Sequence, residues 1–276
     1  MVETVLKAKV STISAFLYAL LLCLYTLPVK AEKPVLKVCY DQWPPMTIFP
    51  TAQEPRRGVV IDMLAHIYTK AGYDLQYFPV PLARGMAMVE AGLCDVLPEV
   101  EFSADTKHNF VYAEQASFTY PTAFVIRRND PWRYAGVKSI IGKRIATGPG
   151  WNYRSMSQPY QNHIENPNNS SSIKIIAGDD DVVERIFKMI AANRVDIYAD
   201  NLFVLNYLLN STNLHNQLQI VTPGLENSLT EKPVFSLQIP QAKRQKLMKI
   251  WDQGRKNIKA QQEDKYLNSY GITLLK

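Results

Sequence analysis

The sequence predicts an α/β protein of two lobes joined by a two-stranded hinge, and three observations lead there. Strand-like apolar runs alternate with helix-spaced segments from Val35 to Glu101, the pattern of a sheet covered by helices. The unit Ala91-Gly92-Leu93-Cys94-Asp95-Val96, which follows a helix and opens a strand, has a counterpart in Ala192-Asn193-Arg194-Val195-Asp196-Ile197. Extended segments near residues 120–128 and 222–234 would carry the chain out of the first unit and back to it, a connection that permits closure around a ligand.

The chain opens with Lys7 and Lys9 ahead of an almost uncharged apolar run, Val10 to Leu27, that ends at Val29-Lys30-Ala31. This is expected to be a secretory signal peptide cleaved after Ala31, giving a periplasmic protein. An uncleaved anchor is the competing reading, since a span needs roughly 17 to 25 apolar residues. Cleavage removes 31 of 276 residues, leaving 245. Of the formal charge of +6 the leader carries +2 (Lys7, Lys9 and Lys30 against Glu3), so the mature chain is near +4. The basic C-terminal run fits the wet face of amphipathic helices, and no nucleic-acid-binding motif accompanies it. Cys23 follows Leu22, not the small residue a lipid anchor would need. Cys39 and Cys94 remain in the mature chain, and they are expected as two small buried apolar side chains in preference to a disulfide.

In order, Val35–Tyr40 is the first strand, stopped by Asp41-Gln42-Trp43-Pro44-Pro45. A helix follows from about Gly58 with Ile61, Leu64, Ala65 and Tyr68 on its apolar face, then a strand at Leu75–Phe78. Pro81 begins the next helix and Gly92 closes it in the left-handed conformation. The following strand starts at Asp95-Val96-Leu97 and delivers Glu99 and Glu101 to its carboxyl end, where ligands bind in such sheets; one of the two is expected to face the cleft. Beyond the connector, strands are expected at 144–147 and 173–176, an exposed Asn- and Ser-rich loop at 162–172, and a helix from Asp181 to Ala192. A strand running Asp196 to Asn201 puts Asp200 at its end. A helix at Leu202–Leu209, strands at Leu218–Thr222 and Val234–Ile239, and a helical tail from Gln241 with Gly254 as a break complete the chain. The lobes are expected at residues 32–123 with 228–276, and at 124–227.

Other chemistry finds little support. His66, His108, His163 and His215 lack metal-ligand spacing, no Ser, His and Asp arrangement is identifiable, and no cofactor is expected. Gly148-Pro149-Gly150 lacks the Lys-Ser/Thr of a phosphate loop and is a turn.

Several pieces together resemble the extracellular solute-binding proteins of family 3, the polar amino-acid type. They are Tyr40-Asp41-Gln42-Trp43-Pro44-Pro45, Gly58-Val-Val-Ile-Asp62, Glu90-Ala-Gly92-x-x-Asp95, the aromatic region Tyr112 to Tyr120, Ile141-Gly142-Lys143-Arg144-Ile145-Ala146, Gly150-x-x-Tyr153, and Arg194-Val195-Asp196 with Asp200. The resemblance implies a periplasmic-binding-protein-like (type II) fold, a monomer that binds a small polar solute without chemistry, and a partner in the membrane: the permease of an ABC transporter, or a receptor. A dehydratase of cyclohexadienyl substrates is also similar in fold, with Glu99 as the general acid. In the amino-acid binders an Arg clamps the α-carboxylate and an acid pairs with the α-amino group. Asp200 matches the acid; Thr106 falls where the Arg should be. Three readings follow: Arg84, at the start of its helix, reaches the cleft and supplies the missing cation; Lys107 or Arg154 supplies it; or the ligand lacks an α-carboxylate and pairs with Asp200, Glu99 and Glu101. Asp41, Trp43, Tyr120, Trp151 and Asn152 complete the candidate site, the aromatics as covers for an apolar or cationic ligand part.

Overall fold

The computed structural model describes residues 32–102, 108–178 and 181–272. The leader to Ala31 lies outside the described residues, so its cleavage is left as a sequence expectation. Strand β1 (Val35–Tyr40) pairs in parallel with β2 (Asp74–Pro79), and between them runs α1 (Val59–Lys70). Helix α2 (Leu82–Glu90) begins after Pro81 and is followed by Gly92 at φ 76°, as the sequence predicts. It leads into β3 (Val96–Glu101), buried at all six positions and parallel to β1. Short strands β4 (Phe110–Tyr112) and β5 (Phe118–Tyr120) stay with this sheet through the last strand of the fold.

Pro121 interrupts the ladder, and β6 (Thr122–Arg127) continues as the centre of a second sheet. There β7 (Ile145–Thr147), α3 (Gln158–Glu165), β8 (Ile173–Ile175), α4 (Val182–Ala191), β9 (Tyr198–Asn201), α5 (Leu202–Ser211) and β10 (Leu218–Val221) follow one another. Strands β9 and β10 flank β6, while β7 and β8 pair in parallel and join β9 by a bridge between Ile145 and Ile197. Strand β11 (Leu229–Ser236) returns to the first sheet, antiparallel to β3, and α6 (Gln241–Gln261) and α7 (Glu263–Ser269) pack outside it. Two lobes with two connecting segments result.

The two matching sequence units have a shared structural job. Asp95 accepts the Lys37 backbone N–H at 2.8 Å and returns its own N–H to the Lys37 carbonyl at 2.8 Å. Asp196 does the same with Arg144, at 2.9 and 2.8 Å. Each aspartate thereby ties the start of one strand to the start of its neighbour. Gly92 and Asn193 turn the chain left-handed just before, at φ 76° and 56°. Burial raises the Asp196 carboxyl pKa, but hydrogen bonds from Arg144 and Arg127 win and hold it well below the usual carboxylate range.

Four expectations need correction. Cys39 and Cys94 form a disulfide, with Cα atoms 5.8 Å apart, because β1 and β3 are adjacent strands. The expected loop at 162–172 contains the end of α3, whose Ser157 cap accepts the Tyr160 N–H at 3.2 Å. Gly254 does not break α6: a Cβ there would lie 2.6 Å from Ile67, so the glycine admits α1 against the helix. Strand β11 starts five residues earlier than expected, at Leu229 rather than Val234.

The two connecting segments cross at Gly224, where a Cβ would come 2.2 Å from the Thr122 backbone. No rotamer relieves a clash with main chain. Gly224→Ala is expected to cost about 1–3 kcal/mol. That is a fall of roughly 2–10 °C in melting temperature for a protein of this size, and an unchanged melt would contradict this packing.

Candidate functional site

The carboxyl ends of β1, β3 and β9 and the start of β11 converge on one cavity between the two sheets. Asp41, Trp43, Glu99, Glu101, Trp151, Asn152, Asp200 and Glu231 line it, with Leu82, Met86, Met156 and Leu229 among its apolar walls. Its free volume is about 90 Å³, smaller than the ~150 Å³ that holds benzene in an apolar cavity. A cavity of this volume has room for a compact solute.

Position follows from the local chain. Asp41 and Trp43 sit where the double proline ends β1, and Trp43 is pinned by a hairpin-like bridge to Thr47. Its indole N–H donates to Asp200 Oδ2 at 3.2 Å, which links the first sheet to the second. The Tyr198 hydroxyl donates to the same oxygen, and the Asn201 N–H to Asp200 Oδ1 at 2.6 Å. A carboxylate has about four lone-pair directions, so Asp200 keeps capacity for one further donor.

Glu99 and Glu101 both line the cavity, where only one was expected. Successive residues alternate across a strand, so positions two apart share a face. Glu231 pairs directly with Glu101 across β11 and β3 and joins them. Tyr120 donates to Glu99 Oε2 at 2.7 Å from behind and does not itself line the cavity. Glu101 Oε1 accepts the Ser155 N–H at 2.5 Å, which ties β3 to the turn that precedes α3. Glu101 Oε2, on a residue 7% exposed, has no donor. Glu99 and Glu231 face each other within hydrogen-bonding reach, and neither Glu99 Oε1 nor Glu231 Oε2 has an N–H or hydroxyl donor. Two carboxyl oxygens in contact need a proton or a cation between them.

Burial raises every one of these pKa values: Asp41 and Asp200 to about 6, Glu99 to about 8, Glu101 upward and Glu231 well above the carboxylate range. For Glu231 the neighbouring Glu99 and Asp41 charges push further in the same direction. Around Glu99, Tyr120 and Glu231 hydrogen bonds and the more distant Arg255 charge lower it, while Asp41 raises it. Folded values above the free ones mean stability present at low pH and lost on raising it, through about 6 for the aspartates and about 8 for Glu99. The melting temperature of the ligand-free protein is therefore expected to fall from about pH 4, near the free carboxyl values, to about pH 8. Glu99→Gln should flatten the upper part of that fall; an identical profile would remove Glu99 as its cause.

Among the described residues no Lys or Arg lines the cavity. Arg84 is exposed on α2 and is not part of the lining. Arg154 is bound to Glu165 at 2.8 Å, and its backbone N–H to Asn152 Oδ1 at 2.9 Å. Thr106 and Lys107 lie outside the described residues. No group of three or more His, Cys, Asp or Glu side chains among the described residues is arranged to hold a metal ion. Sequence reasoning missed Glu231, Tyr153 and Tyr198, which also line the cavity.

Two sheets with helices on their faces, joined by two crossings and holding a polar cavity at the strand ends, define a two-lobed solute-binding protein. The chain belongs to the bacterial extracellular solute-binding proteins, family 3, whose model matches residues 36–271. Similar solved structures include an ancestral arginine-binding protein bound to glutamine (TM-score 0.68, 14% identity, 87% of this chain and 99% of that one). A putative L-cystine ABC transporter protein from Listeria monocytogenes is alike to the same degree (0.68, 14%, 86% and 95%). A histidine kinase sensor domain with similarity to periplasmic binding proteins also matches (0.70, 14%, 88% and 98%). At these identities the likeness shows the fold. No curated protein matches the chain.

Proposed function

We propose that the protein captures a small polar solute bearing a positively charged amino group in the periplasm and presents it to the permease of an ABC transporter. The observation that carries this reading is the cavity lining: five carboxyl groups, Asp41, Glu99, Glu101, Asp200 and Glu231, and no basic side chain among the described residues. Buried carboxylates need compensation, and an ammonium group supplies it. Within this reading residues 32–123 with 228–276 form one lobe and 124–227 the other, and they close over the solute at the two crossings. Arg84 has no role in it, and the solute needs no α-carboxylate. Amino acids with a basic side chain remain within the class; acidic ones do not.

A thermal-shift screen of amines, amino acids, organic acids and short peptides tests the reading. A solute at one hundred times its dissociation constant adds ~2.7 kcal/mol, roughly 5–10 °C here. Amines and basic amino acids should shift the melt and organic acids should not; the reverse pattern would sink the proposal.

Glu99 favours a second reading, because a cleft carboxyl still protonated near pH 7 suits a general acid. The dicarboxylate prephenate, however, would enter a lining of five carboxyl groups. No turnover of prephenate or arogenate is expected, and turnover lost in Glu99→Gln would establish the enzyme instead.

A further inference from the structure

We propose that the solute carries two positively charged groups on a short carbon chain: a diamine, not a monoamine or a zwitterion. This rests on the cationic reading of the cavity above and specifies its ligand. The argument is one of charge balance. Asp41 arrives from the end of β1, Glu99 and Glu101 from β3, Asp200 from β9 and Glu231 from β11, so acidic groups enter from four elements around a space of about 90 Å³. Glu99 and Glu231 can hold one proton between them. Asp41, Asp200 and Glu101 are left as separate acids, the first two with pKa values near 6 and thus mostly ionised at neutral pH.

The nearest cations do not cancel them. Arg255, 3% exposed, acts on Glu99 only through its charge, with its Nε bonded to the Ser117 carbonyl at 2.9 Å and its Nη2 to Glu263 at 2.7 Å. Arg154 acts on Glu101 from a distance while bonded to Glu165. One ammonium group would leave further carboxylates buried without a partner, and a zwitterion would add one. Two ammonium groups, with six N–H donors between them, can meet Glu101 Oε2 and the open side of Asp200 as well as the facing Glu99 and Glu231 oxygens. The apolar surfaces of Leu82, Met86, Met156 and Trp151 suit the carbon chain between the charges. The described acids are not arranged for a metal ion, which points to an organic dication.

Titration calorimetry in phosphate buffer at pH 7.5 with 1,4-diaminobutane, butylamine, 4-aminobutanoate and L-glutamine decides the matter. The diamine should bind at least ~10-fold more tightly than butylamine, since a second paired charge is worth about 1.5 kcal/mol or more. In Glu101→Gln that advantage should shrink several-fold while butylamine affinity changes less. Equal affinity for the diamine and butylamine would overturn the inference and leave the cationic reading standing. Binding of L-glutamine with no binding of either amine would overturn both. Because the ratio is measured on the unaltered protein, it holds whether or not the variant folds.

Discussion

Asp200→Ala is expected to weaken binding of an aminated solute by about 2–4 kcal/mol, roughly 30- to 1,000-fold. Two losses combine. The solute's N–H donor loses a charged acceptor in a site from which water is largely excluded. The Trp43 indole N–H and the Tyr198 hydroxyl, both aimed at Asp200, lose theirs as well. The Trp43 contact joins the two sheets, so the variant should also close less readily, which would appear as faster dissociation. Arg84→Ala is the control: its side chain is exposed and does not line the cavity, so affinity should stay within about twofold. Unchanged affinity in Asp200→Ala would remove that carboxylate from the site.

Removing the Cys39–Cys94 disulfide has the largest expected effect on stability. The bond spans 55 residues, and closing a loop of that length lowers the entropy of the unfolded chain by an amount worth roughly 4 kcal/mol. Both cysteines are fully buried beside Val89, Leu97 and Val234, so two serines there would add unpaired hydroxyl groups in an apolar setting. Replacing both with alanine isolates the crosslink. The melting temperature of the double alanine variant should fall by roughly 8–16 °C. A fall below ~2 °C would mean that the bond contributes little, and the protein should show the same drop on reduction with dithiothreitol.

Much of the fold was legible because period and punctuation agree in it. The first strand has the bounds read from the sequence, Val35–Tyr40, since an apolar run ends against a double proline. Pro81 and Gly92 frame α2 for equally local reasons. The site was less legible. Glu231 escaped because the strand was expected only from Val234, three residues beyond it; Pro233, which lacks the N–H of a ladder residue, breaks the local strand pattern there. The structure accommodates that proline with a register shift between Lys232 and Val234, and its carbonyl still accepts the Ala113 N–H at 2.9 Å. The disulfide depends on which strands become neighbours, and Gly254 depends on how closely α1 approaches α6. Neither is encoded in local pattern. The expectation that only one of Glu99 and Glu101 would face the cleft misapplied the strand period, since residues two apart on a strand share a face.

The most direct measurement of the anionic cleft is calorimetric titration of one amine solute at pH 5.5 and pH 8.5, in two buffers of different ionisation enthalpy. Ammonium groups stay charged across this range, while Asp41, Asp200 and Glu99 titrate within or next to it at about 6, 6 and 8. The carboxyl protons must leave before a cation takes their place, so affinity should rise by at least ~10-fold towards pH 8.5, with protons released to the buffer at the lower pH. Affinity that is flat or falls with rising pH, without proton release, would contradict a cleft built to hold positive charge.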